Sequence, residues 1–355
     1  MNQYSDYYIV PEGRTKIYDE EFLSDNTLRN IIIPDSVDEI GDFAFGSCEA
    51  LRSVKIPNSV KIIGNYAFFR CSSLESINIP NSIKYIEKSA FSGCTSLQSI
   101  VIPENITEIS PQAFAACISL KSIDLPNGVE IIENEAFTNC QSLESIYLPN
   151  SIIGIEYEAF RDCTALKSIN IPDHIVSIGI SAFAGCSSLQ SISIPDSINK
   201  IGGYAFCGCV SLRTFRIPKG ITEISKGLFV NCSSLRTLIF HNKVKSIGYS
   251  AFYHCTSLKS IDIPNGVEII ENEAFEGCKN LESINIPESV KNIGRHAFAF
   301  CDNLSSIHLN SINLYCDKTS FDWINKECVL YVPQGTSSFY QQHPAFKRFK
   351  HIVME

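Results

Sequence analysis

Twelve cysteines recur at an unbroken interval of 23 residues, from Cys48, Cys71 and Cys94 through to Cys278 and Cys301. Around each one a Phe stands three residues before, a Leu three after, and apolar residues six and eight after. A fixed period of this length is the signature of a solenoid, in which every repeat turns once around a shared core. The same period makes the recurring residues structural, so recognition has to be sought in the columns that vary.

At 355 residues the chain is long enough for two or three ordinary domains. The register is not interrupted between the first copy and the last, so one continuous domain is expected. It divides into a degenerate cap repeat over 1–34, twelve regular repeats over 35–310, and an irregular last repeat with a cap over 311–355. A net charge of −9 and a pI near 5.4 argue against nucleic acid as a partner. No run of about 18 apolar residues is present, so membrane insertion is not expected. Met1 to Tyr8 is polar and acidic and lacks the basic start and apolar stretch of a secretory signal. As it stands the chain reads as cytoplasmic; cell-surface or secreted location follows if a precursor was trimmed.

Fifteen cysteines invite a disulfide framework, but the spacing points elsewhere. Coils of a solenoid stack at the strand spacing of about 4.8 Å, so distance alone does not forbid pairing along the column. A regular column, however, aims all its thiols at the core and not at each other. The corresponding site of the last copy is Ile324, a residue that an apolar slot accepts. The thiols are therefore read as free, buried, small hydrophobes, which suits a reducing or anaerobic setting.

The copy from Val60 to Pro80 shows the expected local structure. Gly64 is read as a tight bend. Ala67, Phe68, Cys71 and Leu74 follow at the three- and four-residue spacing of one helix face. In another copy Ser110 and Pro111 fit a helix start, and Glu133 and Glu156 suit a helix N-terminus. Ile77 and Ile79 then alternate with Ser76 and Asn78 as a strand, and Pro80 ends it. The expectation is an α/β solenoid with about fifteen short parallel strands and one short helix per repeat. The Ile pairs, the Phe column and the Leu column make its core. In the tail, Ser337-Ser338-Phe339-Tyr340 reads as helical, and the segment is expected to cover the last open strand edge.

The unit IPNSVKIIGNYAFFRCSSLESINIP, residues 56–80, resembles the BspA-like leucine-rich repeat, and the ending from Cys328 resembles the C-terminal cap of bacterial members. The resemblance covers residues 8–333. It implies a right-handed leucine-rich-repeat coil without enzymatic activity or cofactor, acting in adhesion by binding host matrix or cell-surface proteins. No catalytic or ligand residue carries over, because the motif is a folding motif.

The residues themselves show little chemistry. The Ser column (Ser53, Ser76, Ser99, Ser122) has no His at a recurrent offset to act as a base. Cys207 and Cys209 are too close for a zinc pair and have no second pair to complete it. The outward column in the middle of the strand does vary, and two candidate surfaces stand out. Arg213, Arg216 and Arg236 with Ile239 make a basic spot with an exposed aliphatic, suited to an acidic partner segment. Val101 and Tyr147 flank Asp124 as an exposed apolar pair. The partner class expected is a protein, with a glycan second; the alternative is a structural or self-associating spacer with no dedicated ligand.

Overall fold

The computed structural model describes residues 7–311 and 314–355. Met1 to Asp6, most of the segment whose polarity argues against an export signal, lies outside the described residues, as do Ile312 and Asn313 in the irregular last repeat. The chain forms two compact units, the first ending at Cys186 and the second beginning at Ser187.

Each unit is a parallel-strand solenoid in which nearly every turn contributes two very short strands. In the first unit the front column runs from Tyr8–Ile9 through Ser76–Ile77 to Ser168–Ile169, and the back column from Lys16–Ile17 through Ile62–Ile63 to Ser177–Ile178. In the second unit the front strands run from Thr214–Arg216 to Val329–Val332 and the back strands from Lys200–Ile201 to Tyr315–Cys316. Pairing follows the sequence period: Ser76 lies opposite Ser99, Ile77 opposite Ile100, and Ile62 opposite Tyr85. Because strand side chains alternate, Ile284 and Ile286 of Ser283–Ile286 are buried while Ser283 and Asn285 face water. The expected strand site at Ser191–Ile194 buries Ile192 and Ile194 without a strand being formed there.

The expected helix is not formed. Around Phe68 the N–H groups of Tyr66, Phe68 and Arg70 donate to the next coil, at Lys88 (2.9 Å), Ala90 (2.8 Å) and Ser92 (2.8 Å). The intervening N–H groups of Ala67, Phe69 and Cys71 close tight turns onto the carbonyl three residues back, at 3.3, 3.0 and 3.2 Å. Left-handed backbones at Tyr66 and Arg70, both with φ of 55°, produce this alternation. A helix would satisfy all these donors internally and leave nothing to tie the coils together on this side. The spacing of Ala67, Phe68, Cys71 and Leu74 is therefore that of consecutive turns. Ser110, read as a cap, instead donates through its hydroxyl to the Ile86 carbonyl at 2.7 Å. Glu133 and Glu156 have no helix N-terminus to serve.

Gly64 also has a different reason. A Cβ there would fall 2.8 Å from the Gly41 carbonyl carbon and 2.9 Å from the Asp42 nitrogen. Glycine is required by the closeness of the neighbouring coil and not by a bend.

Inside, the Phe rings stack in a file: Phe137, Phe160 and Phe183 are 5.4 Å apart centroid to centroid and nearly parallel. All twelve regularly spaced cysteines are buried as thiols, none in a disulfide. Their thiols are more than filler. Cys94 donates to the Phe68 carbonyl at 3.2 Å, and Cys163 donates to the Phe137 carbonyl at 3.2 Å. Burial pushes the Cys140 and Cys278 thiols up to about 12, so they stay protonated as donors.

The tail forms the helix Ser337–Gln342 and then the strand His351–Met354, which pairs in parallel with Val329–Val332. The exposed edge of that strand is thus covered, as expected. Phe346 and Phe349 close over Phe321 at the end of the ring file. The buried Tyr340 donates its hydroxyl to the Ser311 carbonyl.

Candidate interaction surface

In the first unit the strands Ser99–Val101 and Ser122–Asp124 pair in register, so Asp124 sits beside Val101, and a bridge places Tyr147 on its other side. Val101 is 70% exposed and Tyr147 62%. The three residues make one contiguous patch. Asn170, next in the column, folds back instead: its side chain accepts from the Leu148 N–H at 2.9 Å and donates to the Leu148 carbonyl at 2.8 Å.

In the second unit Thr214–Arg216 pairs with Thr237–Ile239, which sets Arg216 beside Ile239, itself 53% exposed. The Arg236 N–H donates to the Arg213 carbonyl at 2.9 Å, so these two side chains leave adjacent coils at equivalent positions. The four residues are brought together, but their charges are not equivalent. Arg216 pairs with Asp196 at 2.8 Å, and Asp196 also accepts from the Lys219 N–H at 3.0 Å. These bonds, the Lys219 N–H foremost and then Arg216, hold the Asp196 carboxyl down at about 2. Asp196 lies outside the strand column and 20 residues before Arg216, a separation with no meaning until the coil brings the two together.

In the same column Arg29 and Arg52 form another like-charged pair on adjacent coils, the Arg52 N–H donating to the Arg29 carbonyl at 2.7 Å, while other neighbours are opposite charges. Lys167 meets Glu144 at 2.7 Å, and Lys259 meets Glu282 at 3.2 Å. Among the described residues neither Arg213 nor Arg236 forms an ion pair, and two like charges on adjacent strands repel. The departures from the repeat beside them are not decay. Phe215, in place of Ile, is buried between Phe206 and Phe229 at 5.1 and 4.8 Å, and His241, in place of Pro, bonds the Pro218 carbonyl at 2.8 Å. The core is repacked under an arginine pair that the fold does not need.

The sequence profile of the BspA type Leucine rich repeat region matches residues 15–144, 107–236 and 222–348. The chain belongs to the BspA-type leucine-rich repeat family. Among solved BspA-like and other leucine-rich structures, it is similar to a leucine-rich repeat protein from Bacteroides ovatus, at 34% identity over 86% of this chain and 87% of that one, with a TM-score of 0.73. A leucine rich cell surface protein from Faecalibacterium prausnitzii is 31% identical over 85% of this chain and 87% of its own, with a TM-score of 0.55. The pneumococcal vaccine antigen PcpA shares the fold at 20% identity, with 92% and 79% coverage and a TM-score of 0.60. A search of curated proteins gave no match. The BspA-type repeat accounts for the Ile, Phe, Cys and Leu columns and assigns nothing to Arg213, Arg236 or the Val101–Tyr147 patch. Among the described residues no helix is long and apolar enough to cross a membrane, and no cluster of three His, Cys, Asp or Glu side chains is placed to hold a metal.

Proposed function

We propose that this chain is a non-enzymatic adhesion-type module that binds an acidic segment of a protein partner on the strand face of its second unit. Arg213 and Arg236 supply the charge and Ile239 the apolar contact. The observation that carries this reading is the like-charged arginine pair on adjacent coils set beside the exposed Ile239 and over a repacked core. Arg216, already neutralised by Asp196, holds the adjoining surface in place. The likeness to a protein described as a cell-surface protein supports an encounter outside the cell. Val101, Asp124 and Tyr147 offer a second contact area on the first unit.

Immobilised wild-type protein is to be compared with a variant carrying Arg213→Glu and Arg236→Glu, which leaves the Arg216–Asp196 pair intact. The expected result is loss of retained partners by the variant at an unchanged melting temperature. Equal recovery by both proteins removes the arginine pair from the account.

The alternative, a self-associating spacer, is favoured by one feature. Ile9 of the strand Tyr8–Ile9 is exposed, and among the described residues that strand pairs on one side only, with Asn30–Ile32. Sedimentation over a range of protein concentrations tests it: a concentration-dependent rise in mass supports it, and a constant monomer mass ends it.

A further inference from the structure

The turn face of the second unit, away from the strand columns, carries a concavity of about 410 Å³. Its walls are the phenol rings of Tyr204, Tyr249 and Tyr253, and Glu273, Glu276 and His296 complete its polar lining. Two glycines give the rings room. A Cβ at Gly227 would fall 2.1 Å from the Tyr204 ring, and one at Gly277 would fall 2.1 Å from the ring of His254, which stacks on Tyr253 at 4.2 Å. Each ring therefore lies across the bare backbone of the next coil.

The carboxylates are held in place but not neutralised. Glu273 accepts from the Ser250 hydroxyl at 3.0 Å, and the nearby Glu273 carboxylate raises the Tyr249 phenol above its ordinary value. The Glu276 side chain is only 13% exposed, and burial, followed by the neighbouring Glu273 charge, raises its carboxyl above the ordinary value. His296 stands 3.9 Å from Glu276 and 4.0 Å from Asp322, beyond hydrogen-bond reach of either. Among the described residues neither Glu273 nor Glu276 has a Lys or Arg partner. Lys226 lies 5.9 Å from the Tyr204 centroid, at the outer limit of a cation–π contact.

The repeat supplies an internal reference. Five periods earlier, the positions of Glu273 and Glu276 are Glu158 and Arg161, and there the guanidinium meets the carboxylate at 2.6 Å. In that one copy the turn fills its own cation site. At Glu276 the equivalent position carries another carboxylate, and aromatic rings surround the space. We propose that this concavity binds an organic cation, a guanidinium or alkylammonium group, with Glu273 and Glu276 as counter-charges and Tyr204, Tyr249 and Tyr253 as the ring walls. Carboxylates paired with a guanidinium and rings facing a cation are both favourable contacts, and the volume suits one side-chain-sized group. The site is independent of the Arg213–Arg236 surface.

Titration calorimetry tests it with three probes: N-acetyl-arginine amide, its neutral citrulline counterpart, and a five-residue glycine peptide with arginine at its centre. Wild-type protein is expected to bind the arginine amide saturably and at least about tenfold more tightly than the citrulline amide. Glu276→Arg restores the ion pair seen at Glu158 and Arg161; it is expected to keep the melting temperature and abolish binding. Glu276→Gln is expected to weaken it about tenfold. Tighter binding of the peptide than of the amide assigns the cation to a protein segment, and equal binding assigns it to a free small molecule. No saturable heat with either arginine probe up to about 10 mM, equal binding of citrulline, or unchanged binding by Glu276→Arg overturns the proposal.

Discussion

At the residue scale, the columns divide by what each side chain bonds. The regularly spaced cysteines from Cys48 to Cys186 and from Cys232 to Cys301 are small apolar fillers and also donors that occupy the second lone pair of a Phe carbonyl. The Phe68 carbonyl, for example, takes the Cys71 N–H and the Cys94 thiol, both at 3.2 Å. Burial of the thiols was legible from their period, whereas this bond was not, because it joins residues 26 apart. The same holds outside. The basic spot was visible as a cluster of arginines, but Asp196, which singles out Arg216 from Arg213 and Arg236, was not. The depressed Asp196 carboxyl fixes the sign of its pH dependence. Its pairing contributes fully above the unfolded range near about 3.9 and is lost as pH falls through the folded value, here about 2. In a carboxyl-detected NMR titration, Arg216→Ala should raise the Asp196 midpoint while leaving it below about 3.9, since the Lys219 N–H still bonds it. An unmoved midpoint would show that the ion pair does not form.

At the element scale, the strands were readable and the turns were not. Alternating Ser-Ile-x-Ile segments have one solution once the Ile face is buried, whereas apolar spacings of three and four are met by a helix and by consecutive tight turns alike. The left-handed residues decide between them, and few of these are glycine. Ala116 has a φ of 56°, while its counterparts at Gly93, Gly185, Gly208 and Gly277 are glycines with φ between 72° and 77°. Ala116→Gly should therefore stabilise the protein, by up to about 1 kcal/mol, because the left-handed penalty of an L-residue outweighs the added freedom of the unfolded chain. In a helix the same change would destabilise by about 1 kcal/mol. The sign of the change in the denaturation midpoint separates the two. The turn columns also hold the aromatic and acidic pocket, which reading the strand column alone passed over. Its sequence signal was a second carboxylate, Glu276, three residues after Glu273, where the copy at Glu158 has Arg161.

At the scale of the whole molecule, one period builds both units and leaves the outward columns free to differ. The ring file is the part that cannot vary. Phe160 is fully buried between Phe137 and Phe183, so Phe160→Ala should cost about 3–5 kcal/mol and lower the melting temperature markedly; unchanged melting would mean the rings do not carry the core. Recognition is placed on the surface instead. That claim is tested most directly by hydrogen exchange on the protein bound to a partner it retains. The account predicts slowed exchange concentrated in peptides spanning residues 211–240. Protection confined to other segments, with 211–240 exchanging as in the free protein, would contradict it.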